Sequence, residues 1–393
     1  MPKVLRIINR FNLGGPTYNV AYLTRYLNHG FETKLIGGVS DKGEADSMHI
    51  LNSQGLYPET IENLKRNPNI KDDIAAYRCI KQIIQEYKPD IVHTHASKAG
   101  ALGRLAAANL KVPIVVHTYH GNVFQGYFGK ISSTIFKIIE RWLARKTDGI
   151  VAISPQQENE LSEKHQICKK EKIRVIPLGF DLSRFSENKE EKRILTREKY
   201  NLKDDDLAIA IIGRLAPVKN HVFFIDTVFK AAKITQKSLK VFVVGDGEER
   251  GNIEEIISKK TLPKNLEFVF TSWVKEMDVF NAGMDIICLT SKNEGTPVSL
   301  IEAQASGVAV LSTDVGGVRD VVDHDKTGII VPPNRIDLFV EKLLVLIEDK
   351  QKRDFMSQNG WNYVKDKFHY QKLVDNMERF YLELLEKKYE TKT

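Results

Sequence analysis

Cysteine is scarce in this chain. Its 393 residues include 3 Cys, namely Cys79, Cys168 and Cys288, which are too few and too widely spaced for a disulfide framework or a zinc site. Cys288 lies in the apolar run 286–289, a setting typical of a buried thiol. We therefore expect a reducing compartment and place the protein in the cytoplasm.

Long apolar runs are also lacking. No stretch approaches the ~18 consecutive apolar residues that a transmembrane helix needs, and residues 1–11 are not followed by the hydrophobic region of a signal peptide. The composition is 42% hydrophobic and 28% charged, which excludes collagen, coiled coil and extensive disorder. At roughly 100–200 residues per domain, the length predicts two domains, or at most three.

Positive charge is concentrated in the first half. The net charge is +7, but residues 1–185 hold 26 Lys+Arg against 17 Asp+Glu, and residues 186–393 hold 32 against 34. We expect an acidic partner, such as an anionic membrane surface, to meet the first half, although a solvated basic surface explains the imbalance equally well. We expect no nucleic-acid partner, because binding motifs and interleaved aromatic residues are missing.

Short runs rich in Val and Ile recur along the chain, each followed by a helical pattern. They do not alternate with polar residues, as expected for strands covered on both faces, and strands alternating with helices predict an α/β fold of doubly wound parallel sheets. The runs form two sets of six, at residues 4–8, 33–37, 91–95, 114–120, 149–154 and 173–179, and at 207–215, 239–247, 266–272, 285–291, 308–313 and 327–333.

The two sets predict two Rossmann-like domains. We assign residues 1–185 to an N-terminal domain, 186–206 to a linker with one short helix, 207–367 to a C-terminal domain and 368–393 to a final helix. Helices are predicted at 337–347, 352–367 and 370–388. Ligands of open parallel sheets bind beyond the carboxyl ends of the strands, so candidate site residues are those that directly follow strands.

One such loop holds two cations. The segment GRLAPVKN follows the first strand of the second half and places Arg214 and Lys219 ahead of a helix. This pattern suits a diphosphate, because Arg bonds it bidentately and Lys adds a point charge. The charge run 204–206 precedes a strand and is a solvated surface, so we expect no metal site.

The segment EGTPVSLIEA is the most informative. We expect a helix to start near Thr296, with Pro297 in its first turn. Glu294 and Glu302 would then lie ~12 Å apart along the axis, about the span from the sugar to the ribose of a nucleotide sugar. Two helix-surface acids are the alternative explanation.

Glycine-rich turns follow several strands, in NLGGPT, VVGDG and TDVGGV. Glycine lets the backbone approach a ligand, and a helix N-terminus favours an anion, although a plain tight turn explains each motif alone. The missing G-x-G-x-x-G and Walker patterns argue against a nicotinamide enzyme and a P-loop kinase.

Three polar residues of the first half also follow strands. His120 ends the run VVHTYHG, and Lys98 and Arg104 follow the run 91–95. We expect all three to contact a substrate, while a structural histidine and two solvated cations are the alternatives.

The ordered set of motifs resembles the family 4 retaining nucleotide-sugar glycosyltransferases, and in particular bacterial members that build capsules, O-antigens or exopolysaccharides. The motifs are SxxEGTPVSLIEA, TDVGGV, TGIIVPP, GRLxPxKN and VGDG in the second half, and NLGGP, HTHASKAG and HTYHG in the first. The resemblance implies the GT-B fold, with two Rossmann-like domains facing a central cleft and the final helix crossing back to the first domain. It also implies a retaining, metal-independent transfer without a cofactor, for which we expect a UDP-sugar donor.

The resemblance further implies residue roles. Arg214 and Lys219 would hold the donor diphosphate, Glu302 the ribose hydroxyls and Glu294 the donor sugar, and His120 would lie near the transferred sugar. The domain of residues 1–185 would bind the acceptor, through Lys98, Arg104 and His120, and the domain of residues 207–367 would bind the nucleotide sugar. The remaining predicted donor contacts are Gly14, Gly15, Gly245, Val274, Gly295, Thr296, Pro297 and Val298. The expected acceptor is a glycan linked to polyprenyl diphosphate, which would be met on the inner face of the cytoplasmic membrane.

Two other functions stay open. The two-domain fold is shared by UDP-N-acetylglucosamine 2-epimerases, which lack the context around Glu294 and Glu302. A non-catalytic protein that binds sugar nucleotides is the second alternative, against which the intact cationic loop and both glutamates argue.

Overall fold

The structure is a computed structural model that describes residues 1–12, 15–27, 30–40, 47–65, 67, 69–120 and 130–390, with the backbone alone for residues 130–133. It divides into two compact units. Unit 1 comprises Met1–Phe180 and Phe368–Thr393, and unit 2 comprises Asp181–Lys367.

The strands of the described residues form one sheet in each unit. In chain order they are β1 (Lys3–Ile8), β2 (Glu32–Gly37), β3 (Glu59–Thr60), β4 (Ile91–His95), β5 (Ile114–Tyr119), β6 (Gly149–Ala152), β7 (Ile173–Val175), β8 (Asp206–Ile212), β9 (Ser238–Val244), β10 (Leu266–Thr271), β11 (Ile286–Leu289), β12 (Ala309–Thr313) and β13 (Gly328–Val331).

Helices connect these strands. Within the described residues they are α1 (Gly15–Tyr26), α2 (Met48–Ser53), α3 (Ile70–Tyr87), α4 (Ser97–Asn109), α5 (Lys130–Arg145), α6 (Pro155–Asn159), α7 (Ser183–Ser186), α8 (Lys189–Lys199), α9 (His221–Ala232), α10 (Arg250–Ser258), α11 (Met277–Ala282), α12 (Val298–Ala305), α13 (Val318–Val321), α14 (Ile336–Glu348), α15 (Lys350–Phe368) and α16 (Tyr370–Glu390).

Both sheets are parallel and follow the same strand order. The order is β3-β2-β1-β4-β5-β6-β7 in unit 1 and β10-β9-β8-β11-β12-β13 in unit 2. This is the Rossmann arrangement, in which the order reverses beside the first strand of each unit. The predicted α/β class with two doubly wound parallel sheets is confirmed. The strand β3 was missed, because two exposed residues carry no hydrophobic pattern.

The strands are buried on both faces, as their Val- and Ile-rich sequences predict. In unit 2, for example, Ile209, Val241 and Ile286 are fully buried in one hydrophobic core between the sheet and helices that include α9 and α14. Burial of apolar side chains on both faces removes them from water and fixes which residues form the central strands.

The final helix α16 belongs to unit 1. Its buried face, which includes Leu373, Met377 and Tyr381, packs with Val4 of β1 and with α1. The chain leaves unit 1 after Phe180 and returns at Phe368, whose carbonyl oxygen accepts a hydrogen bond from the N–H of Phe180 over 2.8 Å. The final helix therefore crosses back to the first unit, as the resemblance implied.

The segment 186–206 is not a free linker. Unit 2 already begins at Asp181, and α8 packs on α11 within it. Thr196 of α8 is buried and donates to the carbonyl oxygen of Val279 over 2.7 Å, while Arg193 donates to Asp285 over 2.8 Å. The charged composition indicated a solvated link. The structure instead pairs the side chains of Arg193 and Thr196 with residues of unit 2, so α8 is part of that unit.

Candidate active site

The carboxyl ends of β8 and β11 carry the candidate site of unit 2. These strands are neighbours at the point where the strand order reverses, so the loops that follow them leave the sheet side by side. One loop holds Lys219 and the other holds Glu294. The ammonium group of Lys219 donates to Oε1 of Glu294 over 2.6 Å. The sequence assigned these residues to separate parts of a donor, and the structure joins them in one ion pair.

The carboxylate of Glu294 has a second partner. The hydroxyl of Ser291 donates to the same Oε1 over 2.5 Å, and the hydroxyl of Thr313 donates to the carbonyl oxygen of Ser291 over 2.8 Å. Two donors on one oxygen fix the position of the carboxylate. Sequence analysis missed Ser291, although its place directly after β11 is the signal that could have found it.

The two loops are also tied to each other. The hydroxyl of Thr290 lies 3.2 Å from the carbonyl oxygens of Lys219 and Asn220, and the N–H of Lys292 donates to the carbonyl oxygen of Val218 over 2.8 Å. These bonds anchor the backbone on either side of the ion pair. The geometry of Lys219 and Glu294 therefore depends on the loops as well as on the two side chains.

Two glycines allow the loops to approach this closely. Gly245 has φ +128°, and a Cβ there would lie 2.1 Å from the carbonyl oxygen of Gly213. Gly316 has φ +51°, and a Cβ there would lie 1.8 Å from the carbonyl oxygen of Glu294. Both positions therefore require glycine for conformation and for space. The N–H of the next residue, Gly317, donates to the same oxygen of Glu294 over 3.3 Å.

Helix α12 begins later than the sequence predicted. It starts at Val298 with Pro297 as its cap residue, so the expected start near Thr296 is wrong. The physical reason is the contact of Glu294 and Gly295 with the turn of TDVGGV, which holds this backbone outside the helix. Glu294 therefore precedes the helix, and the predicted ~12 Å spacing along the helix axis does not apply.

Glu302, by contrast, lies on α12 in a partly buried position. Burial is the largest influence on its carboxyl group and raises its pKa to about 7, while Arg184 lowers the pKa and Asp278 raises it. Glu302 is therefore a group that changes charge near neutral pH. Arg184 and Asp278 are distant in sequence and carried no signal for this role.

The other predicted donor contacts of unit 2 lie on the surrounding loops. Arg214 is exposed, and its side chain has no hydrogen-bond or ion-pair partner within the described ranges. Val274 is partly buried in the loop between β10 and α11, where β10 is the edge strand two places from β8. Gly295 is exposed, and Thr296 is partly buried.

In unit 1, His120 directly follows β5. Its Nε2 lies 2.9 Å from Nδ1 of His95, the last residue of β4, and the two rings stack with centroids 5.1 Å apart. Burial lowers the pKa of His120 to about 3, so the ring is neutral at pH 7. A neutral imidazole carries one N–H and one acceptor nitrogen, so His120 can exchange hydrogen bonds with a hydroxyl without bringing charge.

A chain of buried polar groups continues behind His95. The ring of His93 packs 4.1 Å from that of His95, its Nδ1 lies 2.5 Å from the hydroxyl of Tyr381, and its Nε2 lies 2.7 Å from the hydroxyl of Thr118. Burial lowers the pKa of His93 and of His95 well below the usual range. Sequence analysis considered His120 and missed His93 and His95, although the spacing in H-T-H places both on one face of β4.

Two predicted acceptor contacts have structural partners instead. Arg104 is 0% exposed, and its guanidinium donates to both carboxylate oxygens of Glu140, at 3.0 and 2.8 Å. The hydroxyl of Tyr119 donates to Glu140 over 2.6 Å. A fully buried, paired guanidinium cannot meet a ligand from solution, so the expectation for Arg104 is wrong. Lys98 is mostly buried and pairs with Asp73.

Of the predicted glycine pair near the N-terminus, Gly14 lies outside the described residues. Gly15 is the first residue of α1, and a Cβ there would lie 3.3 Å from the side chain of Leu178. In the described ranges, His, Cys, Asp and Glu do not form a group of three that could hold a metal ion. None of the helices in those ranges is long and apolar enough to cross a membrane.

Two Rossmann-like units with polar residues at the carboxyl ends of their central strands are typical of the GT-B fold that the resemblance implied. Comparison with solved structures supports this architecture. The structure of Anabaena HepE in complex with UDP superposes with a TM-score of 0.81 at 18% identity, and covers 97% of this chain and 100% of that protein.

Sequence comparisons identify the family. The model of "Glycosyltransferase Family 4" matches residues 13–184, and that of "Glycosyl transferases group 1" matches residues 192–362. The UDP-Gal:alpha-D-GlcNAc-diphosphoundecaprenol alpha-1,3-galactosyltransferase of Escherichia coli is 30% identical over 332 residues, which is 83% of each chain. The capsular polysaccharide biosynthesis glycosyltransferase CapM of Staphylococcus aureus is 27% identical and covers 85% of this chain and 89% of its own. This chain belongs to family 4 of the glycosyltransferases.

Proposed function

We propose that this protein transfers a sugar from a UDP-sugar to a glycan carried on polyprenyl diphosphate, with retention of anomeric configuration, in the synthesis of a bacterial surface polysaccharide. The ion pair of Lys219 and Glu294 at the carboxyl ends of β8 and β11 is the observation that carries the proposal. The name of the Escherichia coli relative includes both a UDP-sugar and a diphosphoundecaprenol acceptor, which supports these two choices.

Each part of the donor has a matching group in unit 2. Arg214 and Lys219 bind the diphosphate, Glu302 accepts hydrogen bonds from the ribose hydroxyls, and Glu294 accepts them from the sugar. Backbone groups from Gly295 to Val298 complete the sugar and phosphate contacts, and the loop of Val274 meets the base. Carboxylates suit paired hydroxyls because they only accept hydrogen bonds when ionised.

The reaction breaks the bond between the sugar and the diphosphate. Negative charge develops on the departing phosphate, and Arg214 and Lys219 stabilise it without a metal ion. The acceptor hydroxyl attacks from the same face and passes its proton to the leaving phosphate. Glu294 already accepts two hydrogen bonds at one oxygen, which suits a positioning carboxylate better than a nucleophile.

His120 contributes a hydrogen bond rather than a charge. Its pKa of about 3 excludes the imidazolium form at neutral pH, so it serves the hydroxyls of the transferred sugar or of the acceptor as a neutral partner. The acceptor meets unit 1 at the cytoplasmic face of an anionic membrane, because the first half of the chain carries the excess of positive charge.

The first experiment follows the anomeric protons of UDP-galactose and UDP-N-acetylglucosamine by NMR in the presence of the purified protein without acceptor. Slow release of UDP and of α-configured free sugar is the expected result. A 2-epimer with its nucleotide intact would indicate an isomerase, and binding without turnover of any donor in a wider panel would indicate a binding protein.

Variants of the ion pair then test the assignment of the site. Lys219→Ala should lower turnover about 100-fold, as for the loss of one group that stabilises transition-state charge. Glu294→Gln should lower turnover while UDP binds at least as tightly, because Lys219 loses its competing anion. Lys230→Ala is the matched control, since Lys230 pairs with Asp337 over 3.0 Å on the surface. Turnover of Lys219→Ala within a few fold of the unmodified protein would disprove the assignment.

A further inference from the structure

Helix α5 of unit 1 exposes an apolar stripe. Ile135, Ile138, Ile139 and Trp142 are 54%, 57%, 44% and 45% exposed. Their spacing of i, i+3, i+4 and i+7 places them on one side of the helix. The opposite side holds Ala144, which is buried in unit 1. Four large apolar side chains grouped in this way differ from the single exposed residues that are normal on a protein surface.

Cations accompany this stripe. Arg145 is the last residue of α5, and Lys146 follows directly. Arg145 and Lys146 are exposed, and the ammonium of Lys146 lies 4.9 Å from the ring centroid of Trp142. Glu140 is the one acidic residue of this helix segment in the described residues, and it is buried in its pair with Arg104. The exposed side of α5 is therefore both apolar and cationic.

We propose that the α5 stripe, defined by Ile135, Ile138, Ile139 and Trp142, binds the surface of an anionic lipid bilayer. A helix that combines an apolar face with flanking Lys and Arg lies in the membrane interface, where the apolar groups enter the headgroup region and the cations meet anionic headgroups. Trp is favoured at that depth because its ring is amphipathic. The inference rests on the proposed function in one respect, since a lipid-linked acceptor brings the protein to this surface.

The charge of the helix favours a bilayer over a second copy of this chain. Two copies that packed their stripes together would offer Arg145 and Lys146 no carboxylate from the facing α5, because Glu140, its one acidic residue in the described residues, is buried in its pair with Arg104. An anionic surface satisfies the apolar and the cationic groups together.

Hydrogen bonds connect α5 to the strand end of unit 1 that we assign to the acceptor. Glu140, on the buried side of α5, accepts hydrogen bonds from Arg104 of α4 and from Tyr119, the last residue of β5. His120 is the next residue in the chain. A bilayer bound to the stripe is therefore held at a fixed position relative to the strand end that we assign to the acceptor.

Flotation of the full chain with vesicles tests the proposal. The vesicles contain phosphatidylcholine with about 30% phosphatidylglycerol, or phosphatidylcholine alone. The unmodified protein should float with the anionic vesicles, and about 0.5 M NaCl should weaken the association. Ile138→Glu should reduce binding about tenfold or more, because it places a negative charge in the stripe.

Ile194→Glu is the matched control. Ile194 is 57% exposed on α8 in unit 2, the same fraction as Ile138, so a general effect of an added surface charge would appear in both variants. The control should bind within about twofold of the unmodified protein. Lys146→Glu should weaken binding to anionic vesicles, in proportion to one cation near the surface.

Three results would overturn the proposal. One is equal vesicle binding by the Ile138→Glu variant and the unmodified protein, and another is no binding by either at low salt. The third is a dimer of the unmodified protein that the Ile138→Glu substitution dissociates, without vesicle binding, as measured by analytical ultracentrifugation. Release of UDP from the donor without acceptor separates this test from that of the proposed function, because the Ile138→Glu variant should retain it. If the unmodified protein binds vesicles but turns over no donor, membrane binding by the α5 stripe is supported and the proposed transferase activity is rejected.

Discussion

Donor binding should weaken about tenfold between pH 8 and pH 6 because Glu302 gains a proton. The pKa of this carboxyl group is about 7. About nine-tenths of it is ionised one pH unit above that value and about one-tenth one unit below. A protonated carboxyl group loses acceptor capacity toward the ribose hydroxyls, so the apparent affinity should follow the ionised fraction.

Calorimetric titration with UDP-glucose between pH 6 and pH 8 measures this effect, because the diphosphate of a nucleotide sugar does not itself titrate there. Asp278→Asn removes a neighbouring negative charge and should move the midpoint to lower pH, while Arg184→Leu should move it to higher pH. Glu302→Gln should bind more weakly at pH 8 and show no midpoint. A pH dependence that survives in Glu302→Gln, or a flat profile in the unmodified protein, would refute the reasoning.

Three further predictions concern stability and loop geometry. The pKa of Glu302 is raised in the folded state, so its carboxyl group contributes to the free energy of unfolding below pH 4.5, and this contribution is lost as the pH rises through about 7. At pH 8 the folded protein holds a buried negative charge that Gln does not carry. Glu302→Gln should therefore raise the free energy of unfolding at pH 8 by about 1–2 kcal/mol, as measured in urea. Arg104→Leu leaves Glu140 buried without its cation and should lower the free energy of unfolding by about 3–5 kcal/mol, whereas unfolding unchanged within error would mean that the pair contributes nothing. Gly316→Ala places a Cβ 1.8 Å from the carbonyl oxygen of Glu294 and should reduce donor turnover about tenfold or more, with wild-type turnover as the contrary result.

The fold was predictable because the strands of both units are buried on both faces. Their continuous Val- and Ile-rich runs exclude the alternating pattern of a half-exposed sheet, and the helical patterns between them fix a parallel order. The strand β3 could not be found in this way, since Glu59 and Thr60 are exposed and pair with β2 through backbone groups and one surface ion pair, between Glu59 and Lys34. A strand that pairs without being buried has no apolar pattern in its sequence.

The site was predictable where it lies at the ends of strands. Arg214, Lys219 and Glu294 all follow central strands of unit 2, and that placement led to them. The start of α12 was predicted two residues too early because a distant turn, at Gly316 and Gly317, determines the local backbone. A helix signal of Thr and Pro describes local preference, and here a tertiary contact overrides it.

The wrong prediction for Arg104 has a different cause, which is a contact between two helices. The residue follows β4 on a small-residue helix, which from sequence alone is equally consistent with an acceptor contact and with a structural role. Its partner Glu140 is 36 residues away on another helix, so the burial of the pair depends on how α4 and α5 pack. No spacing rule within one helix predicts an ion pair between two helices.

The two units treat charge in opposite ways, and this divides the proposed reaction between them. Unit 2 concentrates ionised groups where backbone loops meet, with Lys219 and Glu294 in contact and Arg214 exposed nearby in sequence. Unit 1 presents a neutral histidine at its strand end, because burial lowers the pKa of His120 to about 3. A diphosphate needs cations, whereas a neutral imidazole can exchange a hydrogen bond with a hydroxyl without bringing charge. In the proposed reaction, unit 2 therefore recognises the diphosphate and the hydroxyls of the donor, while the acceptor hydroxyl is matched to His120 of unit 1.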